Sequence, residues 1–205
     1  SMNSTVLARR AYVTGVPLRN GEFAKDCNRA HRQWKALLRH ESPPASLPLH
    51  ETVHAIMGQA AIHILYVCSG NTCRSPMAAA ITRHFAQSRS NAMPTIEVDS
   101  AGAGAIDGLP ATPEAGAALR SLGIEPGEHR SKALTPELIA WADRIYCMTP
   151  GHVAGVRSIA PNSDVDVELL DPSGESVPDP IGGSQRVYDD AASKLADLIA
   201  TRLKE

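Results

Sequence analysis

The feature that most constrains the fold of this chain is an apolar run that ends on a cysteine and leads at once into a helix-forming segment. Residues 62–67 read IHILYV, Cys68 follows, and Ser75 and Pro76 precede a Met-Ala-Ala-Ala run. The apolar run predicts a buried strand, and serine as N-cap with proline at the first helical position predicts a helix start. The stretch therefore predicts a strand, a tight loop and a helix in succession.

The loop between that strand and that helix is predicted to bind an anion. Backbone N–H groups gather in such a loop, and the helix dipole adds positive potential. Arg74 supplies a guanidinium that can hold two phosphate oxygens at once. This field favours the thiolate form of Cys68, and a thiolate that touches a bound phosphate is a nucleophile. We therefore predict that Cys68 is the catalytic nucleophile.

Beyond residue 60, strand-like and helical patterns alternate along the chain. Such alternation predicts an α/β fold in which a central four-stranded parallel sheet carries helices on both faces, with the phosphate-binding loop after the first strand. The predicted strands cover residues 62–67, 95–100, 143–148 and 165–170, and the predicted helices cover residues 76–89, 113–122, 136–142, 150–159 and 185–203. The predicted N-caps with proline at the next position are Ser75, Thr112, Thr135 and Thr149.

Residues 1–60 are predicted to form a helical extension ahead of a domain that covers residues 61–205. Apolar residues at helical spacing predict an amphipathic helix over residues 22–40, which includes Cys27, and residues 50–60 form a shorter second helix. The proline-rich stretch 41–48 is a linker by composition. We expect the extension to pack on the domain or to support self-association, and a docking arm or lid over the active site is the alternative.

Composition excludes several classes of protein. The formal net charge of −2 gives no global signature of binding to nucleic acid or to a membrane surface. Four cysteines in 205 residues are too few and too scattered for a disulfide scaffold, so we predict a reducing, cytoplasmic location. No apolar run approaches the roughly 18 residues that a membrane span requires. No group of histidine, cysteine and acidic residues has metal-ligand spacing, and we predict no metal and no cofactor.

The loop resembles the active-site loop of the low-molecular-weight protein tyrosine phosphatase family. The similarity extends through Asp-Ser-Ala-Gly at residues 99–102 and His129 to Asp-Pro-Ile-Gly-Gly at residues 179–183, and covers residues 61–204. The resemblance implies that Ser100 and His129 hold Asn71, whose residue type tolerates left-handed dihedrals. It also implies a phosphate-binding loop made of Ser69, Gly70, Asn71, Thr72, Cys73, Arg74 and Ser75.

Three residues of this loop have further predicted roles. Gly70 lets the backbone approach the phosphate closely. Ser75 is predicted to cap the helix and also to donate its hydroxyl to the Cys68 thiolate. In this family a cysteine at the position of Cys73 forms a reversible disulfide with the nucleophile under oxidation, so the resemblance implies a Cys68–Cys73 redox pair. Cys147, in an apolar strand, is predicted to be a core residue.

The general acid has two candidates, because the sequence contains two Asp-Pro pairs. Asp171 ends the predicted fourth strand, whereas Asp179 lies directly before the last helix. The family places its acid just before that helix, so the resemblance selects Asp179. Asp171 is then a turn former, as aspartate before proline often is.

The substrate is predicted from Thr72 and from the residues after Asp179. The family's tyrosine phosphatases usually carry isoleucine where this loop has Thr72, and an aromatic pair after the Asp-Pro. Here Ile181 and Gly182 follow. Threonine in the loop and the Asp-Pro-X-Gly-Gly sequence instead resemble the protein-arginine phosphatase branch, although that branch typically has phenylalanine where this chain has Ile181. We predict hydrolysis of phosphoarginine in a protein substrate through a phosphocysteine intermediate.

Three different functions stay open from the sequence. The first is a protein-tyrosine phosphatase of the same family. The second is a thioredoxin-coupled arsenate reductase, against which the lack of a cysteine close downstream of Cys147 argues. The third is a non-catalytic phosphate-binding module, against which the joint presence of Cys68, Arg74 and Asp179 argues.

Overall fold

The described part of the protein is an alternating series of strands and helices. A computed structural model describes residues 61–87 and 95–204 of the chain. The strands are β1 (Ile62–Cys68), β2 (Ile96–Gly102), β3 (Arg144–Cys147) and β4 (Asp166–Leu169). The helices are α1 (Arg74–Gln87), α2 (Pro113–Ser121), α3 (Pro136–Trp141), α4 (Pro150–Ile159) and α5 (Gln185–Arg202).

The four strands form one parallel sheet with the order β2-β1-β3-β4. In the register, Tyr66 of β1 pairs with Ser100 of β2 on one side and with Tyr146 of β3 on the other. β1 is therefore a central strand, which agrees with its continuous apolar run, because an inner parallel strand is buried on both faces. The predicted α/β fold with a four-stranded parallel sheet is confirmed.

Helices cover both faces of this sheet. Alternate residues of β1 point to opposite faces, so Tyr66 packs with α1, α2 and α5, whereas Leu65 and Val67 pack with α3 and α4. Met77 of α1 lies in the first core and Ile139 of α3 in the second, and both side chains are almost completely buried. Each such side chain contributes about 1.5–3 kcal/mol of burial free energy, so packing on both faces stabilises the sheet.

Three of the four predicted N-caps are confirmed, and one is wrong. The side chains of Thr112, Thr135 and Thr149 each accept a hydrogen bond from the backbone N–H three residues later, and proline follows each of them. Ser75 is not a cap, because α1 already begins at Arg74 and Ser75 lies inside its first turn. The hydroxyl of Ser75 is turned toward the preceding loop instead.

Some predictions fall outside the described residues. These are the whole extension of residues 1–60, with its helices and linker, Cys27, and the last two residues of the predicted helix 76–89. Within residues 61–87 and 95–204, no helix is long and apolar enough to cross a membrane. The strand β2 runs two residues further than predicted, to Gly102, because its ladder with β1 continues as far as Cys68.

The strand order fixes where a ligand can bind. The chain passes from β1 to β2 on one side and then returns to place β3 on the other side of β1. The order therefore reverses between β1 and β3, and parallel α/β sheets open a binding crevice at the carboxyl ends of the strands at such a point. The loop of residues 69–73 and the start of α4 both lie at this crevice.

Candidate active site

Cys68 lies at the carboxyl end of β1, and its sulfur is surrounded by hydrogen-bond donors. The backbone N–H of Asn71 donates to Cys68 Sγ at 3.3 Å, and the hydroxyl of Ser75 lies 3.0 Å from the same sulfur. Cys68 is only 2 % exposed. A buried thiolate needs such donors, because an uncompensated charge in the protein interior is costly. The predicted contact between Ser75 and the Cys68 sulfur is therefore present in the structure.

Asn71 forms the turn of the loop, and four hydrogen-bond partners hold it there. Its φ of 55° is left-handed, a conformation that asparagine adopts more readily than most residues. Asn71 Nδ2 donates to Ser100 Oγ and to Ser75 Oγ, both at 2.9 Å, and Oδ1 accepts from the backbone N–H of Lys132 at 2.9 Å. His129 Nε2 donates to the backbone carbonyl of Asn71 at 2.7 Å. The structure thus brings Ser100 and His129 against Asn71.

His129 acts on this turn as a neutral imidazole. Burial lowers the pKa of His129, and the charge of Lys132 acts in the same direction, although the hydrogen bond to Asn71 opposes them. Because the partner is a carbonyl oxygen, the hydrogen of the neutral ring must lie on Nε2. The loop therefore receives a donor at this point without an additional full positive charge.

The guanidinium of Arg74 is held by three hydrogen bonds from its two terminal nitrogens. Nη1 donates to the backbone carbonyl of Val177 at 3.1 Å, and Nη2 donates to Ser69 Oγ at 3.3 Å and to the carboxylate of Asp179. Within the described part of the chain, Nε of Arg74 is a buried nitrogen without a hydrogen-bond partner. A buried donor of this kind is costly unless it is satisfied, and an oxygen of a bound phosphate would satisfy it.

Asp179 lies at the mouth of the site. Its side chain is 38 % exposed and pairs with Arg74, whose side chain is 4 % exposed. Its other oxygen accepts a hydrogen bond from the backbone N–H of Ile181 at 3.3 Å. Gly182 follows with a φ of 76°, which favours glycine and turns the chain toward α5. Asp179 can therefore reach both solvent and the arginine of the loop.

Asp171 forms a separate turn. Its carboxylate accepts hydrogen bonds from the backbone N–H of Ser173 at 3.0 Å and from the hydroxyl of Ser173 at 2.6 Å, and Lys194 lies at 3.4 Å. These partners occupy both oxygens, so Asp171 serves the turn after β4. Of the two Asp-Pro pairs, only Asp179 contacts Arg74.

Thr72, Gly70 and Ile181 are the remaining residues with predicted roles at the site. Thr72 is half-buried, and its hydroxyl lies 3.7 Å from the sulfur of Cys73. A Cβ added to Gly70 would meet only Thr72 Oγ1, at 3.6 Å, so the protein alone does not exclude a side chain there. Its close approach to phosphate stays a prediction. Ile181 is 59 % exposed beside the acid, and its role in specificity is likewise a prediction.

Cys73, at the end of the loop, is buried beside Tyr188 of α5. The hydroxyl of Tyr188 lies 3.4 Å from Cys73 Sγ, and the hydroxyl of Thr112 lies at 3.7 Å. Burial, followed by the contact with Cys73, raises the pKa of Tyr188 to about 12. Cys68, Cys73 and Cys147 are all free thiols in the structure. The redox pairing of Cys68 with Cys73 stays a prediction.

Sequence reasoning did not select three residues that contact the loop or its arginine, which are Val177, Gly102 and His152. The carbonyl of Val177 could not be found, because any residue type offers one. Gly102 lies under the loop, and a Cβ there would be 2.5 Å from the Ser69 carbonyl oxygen. His152 contacts Ser69 Oγ at 3.0 Å, and Thr149 contacts the other ring nitrogen of His152. The signal for this last pair was its position directly after β3, at the carboxyl edge of the sheet.

No described group of three or more histidine, cysteine and acidic residues could hold a metal ion. Cys147 is enclosed in the core, and this burial raises its pKa to about 12, which keeps it a thiol. The site as built offers an anion cradle of backbone and arginine N–H groups, a sulfur nucleophile and a carboxyl group. These parts are sufficient for phosphoryl transfer in two steps.

Comparison with known proteins identifies relatives of this chain. Residues 63–205 match the profile of the family described as low molecular weight phosphotyrosine protein phosphatase. The chain is 37% identical over 140 residues to a protein-arginine-phosphatase of Geobacillus stearothermophilus, and the aligned region covers 66% of this chain and 90% of that protein. It is 35% identical over 133 residues to the probable low molecular weight protein-tyrosine-phosphatase EpsP of Ralstonia solanacearum, with coverage of 64% and 87%.

Solved structures agree with the fold. The YwlE arginine phosphatase from Geobacillus stearothermophilus superimposes with a TM-score of 0.63 at 37% identity, covering 70% of this chain and 93% of that one. A YwlE variant with a phosphorylated active-site serine gives a TM-score of 0.65 at 34% identity, covering 70% and 97%.

Proposed function

The chain belongs to the low molecular weight phosphotyrosine protein phosphatase family. It is therefore a phosphatase, and from this premise we propose that it hydrolyses phosphoarginine in proteins through a phosphocysteine intermediate on Cys68. The observation that carries the proposal is the convergence of Cys68, Arg74 and Asp179 at the carboxyl end of β1. The predicted domain, residues 61–205, contains all three residues.

In the first step the Cys68 thiolate attacks the phosphorus atom of the bound substrate. The S–P bond forms as the P–N bond of phosphoarginine breaks, and Asp179 gives its proton to the leaving guanidine nitrogen. The backbone N–H groups of the loop and the guanidinium of Arg74 stabilise the charge on the transferring oxygens. Before attack, the N–H of Asn71 and the hydroxyl of Ser75 lie within hydrogen-bond distance of the sulfur.

In the second step a water molecule attacks the phosphocysteine. Asp179, now ionised, takes a proton from this water, so one carboxyl group serves as acid and then as base. The S–P bond breaks, phosphate leaves, and Cys68 returns to the thiolate. Ser75 Oγ, 3.0 Å from Cys68 Sγ, donates to the sulfur as its charge reappears.

Two observations favour arginine over tyrosine as the phosphorylated residue. Thr72 gives the loop a hydroxyl where a branched apolar side chain would suit an aromatic ring, and phosphoarginine carries a polar, planar leaving group. The relatives named protein-arginine-phosphatase, from Geobacillus stearothermophilus and Bacillus subtilis, are 37% and 35% identical to this chain. Phosphotyrosine is the second candidate, because a relative named as a probable low molecular weight protein-tyrosine-phosphatase is 35% identical to this chain.

Arsenate reduction and non-catalytic phosphate binding have less support. An arsenate reductase needs thiols that shuttle a disulfide, and Cys147 is a fully enclosed core thiol in this structure. A module that only binds phosphate has no use for a carboxyl group at the mouth of the site, where Asp179 pairs with Arg74. A phosphoprotein substrate follows from the family. Self-association through residues 1–60 and a cytoplasmic location remain predictions from the sequence.

The test compares two substrates under identical conditions. Proteins that carry phosphoarginine or phosphotyrosine are incubated with the enzyme, with and without a chelator, and released phosphate is measured. We expect a higher kcat/KM for phosphoarginine, no effect of the chelator, and no turnover by Cys68→Ser, which should still bind vanadate. A preference for phosphotyrosine would transfer the assignment to the second candidate, and near wild-type activity in Cys68→Ser would exclude the covalent mechanism.

A further inference from the structure

The phosphate-binding loop is held on two opposite sides. Asn71 is held from the β2 side of the loop through Ser100 and His129. Ser69 is held from the β3 side, where its hydroxyl lies 3.0 Å from His152 Nε2. These two sides correspond to the two strands that flank β1 in the sheet, so the loop is contacted by one histidine on each side.

His152 is fixed in place by its own helix start. Thr149 caps α4 by accepting the backbone N–H of His152 at 3.3 Å, and its hydroxyl also lies 3.0 Å from His152 Nδ1. The His152 residue is 7% exposed. Both ring nitrogens therefore have partners, and the ring orientation is determined by the cap on one side and by Ser69 on the other.

Ser69 connects this histidine to the arginine of the loop. Arg74 Nη2 can only donate, so Ser69 Oγ must accept its hydrogen bond, at 3.3 Å. The same Nη2 donates to Asp179, so its direction is shared between Ser69 and the acid. If the hydroxyl of Ser69 turned away, one of the two anchors of Nη2 would be lost.

We propose that His152 is a positioning residue that holds the Ser69 hydroxyl and, through it, the phosphate-binding guanidinium of Arg74. His152 itself touches no reacting atom. The proposal rests on the assignment of Cys68 and Arg74 as the reacting site under the proposed function.

The charge state of His152 fits this role. Burial, followed by the positive charge of Arg74, lowers the pKa of His152, whereas Asp179 opposes this effect. A neutral imidazole beside Arg74 avoids the repulsion that an imidazolium would add. The Ser69–His152 bond is then a hydrogen bond between uncharged groups. It orients the Ser69 hydroxyl and places no charge beside Arg74 that would compete with the phosphate.

Two amide substitutions separate the two ends of the ring. Glutamine places its amide near the position of Nε2 and retains the contact with Ser69, whereas asparagine places its amide near Nδ1 and retains only the contact with Thr149. We expect His152→Asn to lower kcat/KM for para-nitrophenyl phosphate by about 10- to 100-fold, because small misplacements of catalytic groups have effects of this size. We expect His152→Gln to retain most of the wild-type kcat/KM, and inhibition by inorganic phosphate should weaken only in His152→Asn.

A double-mutant cycle tests whether Ser69 transmits the effect. Ser69→Ala should lower kcat/KM to a similar extent, and Ser69→Ala combined with His152→Asn should cause little further loss, because both changes remove the same contact. The melting temperature of every variant is measured in parallel. Independent, additive losses, or equal losses in the glutamine and asparagine variants that follow the melting temperature, would show that His152 only stabilises the fold.

The control separates this inference from the proposed function. If Cys68→Ser is inactive while His152→Asn and Ser69→Ala behave as wild type, the positioning role is excluded and the reacting site stands. If Cys68→Ser keeps wild-type activity on para-nitrophenyl phosphate, the reacting site itself is wrong, and the proposal for His152 is excluded with it. Should His152→Asn fail to fold, His152→Gln and Ser69→Ala decide the question: His152→Gln should keep the kcat/KM and phosphate inhibition that Ser69→Ala loses, and equal losses in the two would exclude the proposal.

Discussion

The buried guanidinium of Arg74 donates a hydrogen bond to the carboxylate of Asp179, 105 residues further along the chain. The pair joins the start of α1 to the loop that precedes α5, and the arginine side chain is almost fully enclosed while the carboxylate is partly exposed. A bound phosphate would compete with Asp179 for the same Nη2 group. Substrate binding is therefore expected to release the carboxyl group toward the leaving atom, so binding and acid catalysis are coupled through one nitrogen.

This coupling predicts that the two Asp-Pro pairs behave differently. Asp179→Asn should lower kcat for phosphoarginine by about 10²–10⁴-fold, which is the usual contribution of a positioned general acid. Asp171→Asn is the matched control, because it makes the same chemical change in a turn that does not contact Arg74, and it should leave kcat close to wild type. The measurement is steady-state hydrolysis by both variants. The reverse order of effects would place the acid at Asp171.

Replacing Thr72 is predicted to change the preference between phosphoarginine and phosphotyrosine. Thr72→Ile adds a branch and deletes the hydroxyl, and a methylene or an unpaired polar contact changes discrimination at least about tenfold. We expect kcat/KM for phosphoarginine to fall by this factor while activity on phosphotyrosine is kept or rises. Measuring both substrates with one preparation controls for general damage. A parallel fall of both activities would mean that Thr72 only supports the loop.

The close packing of Gly102 against the loop predicts that a larger side chain there will displace the loop. A Cβ at this position would lie 2.5 Å from the carbonyl oxygen of Ser69 and 3.0 Å from the backbone nitrogen of Asn71. Gly102→Ala should therefore displace the loop, destabilise the fold by about 1–3 kcal/mol and lower kcat/KM. Gly104→Ala is the control, since a Cβ there meets nothing within 4 Å. Urea unfolding and kinetics of both variants are the measurements, and equal behaviour of the two would contradict the expected contact.

The lowered pKa of Asp171 makes the free energy of unfolding depend on pH. Hydrogen bonds from Ser173, with a further effect of Lys194, hold the pKa of Asp171 below its usual 3.8. A lowered pKa in the folded state means that the carboxylate stabilises the fold above its unfolded pKa, and that this contribution is lost as pH falls through the folded value. Asp171→Asn should thus be less stable than wild type at pH 7 by about 1–3 kcal/mol. The gap should begin to narrow in urea unfolding below about pH 4, whereas a gap that is constant down to pH 3 would contradict this assignment.

The sequence predicted the parts of the site that depend on local chemistry. The apolar run of β1, the loop with Cys68 and Arg74, and the three threonine caps each follow from neighbouring residues. The error at Ser75 has a physical cause, because a serine at a helix start can bond the helix backbone or other partners. Here the hydroxyl of Ser75 lies beside the Cys68 sulfur and accepts a hydrogen bond from Asn71 Nδ2, and the helix begins one residue earlier.

Contacts over long sequence separations could not be predicted in the same way. His152 lies 83 residues from Ser69, and the carbonyl of Val177 lies 103 residues from Arg74. Their proximity depends on the order of strands in the sheet, which the alternation of patterns does not give. Once the order β2-β1-β3-β4 is known, residues directly after β3 become candidates, because they share an edge with the loop after β1.

The central claim is that Cys68 carries the phosphoryl group between the two steps. Asp179→Asn mixed with para-nitrophenyl phosphate tests this most directly, because this substrate has a good leaving group that needs little acid, whereas the second step still needs a base. We expect a burst of one nitrophenolate per enzyme molecule, followed by slow turnover, and a phosphoryl group on the peptide that contains Cys68 after rapid quenching. Steady release without a burst, or a phosphoryl group on any other residue, would contradict the phosphocysteine mechanism.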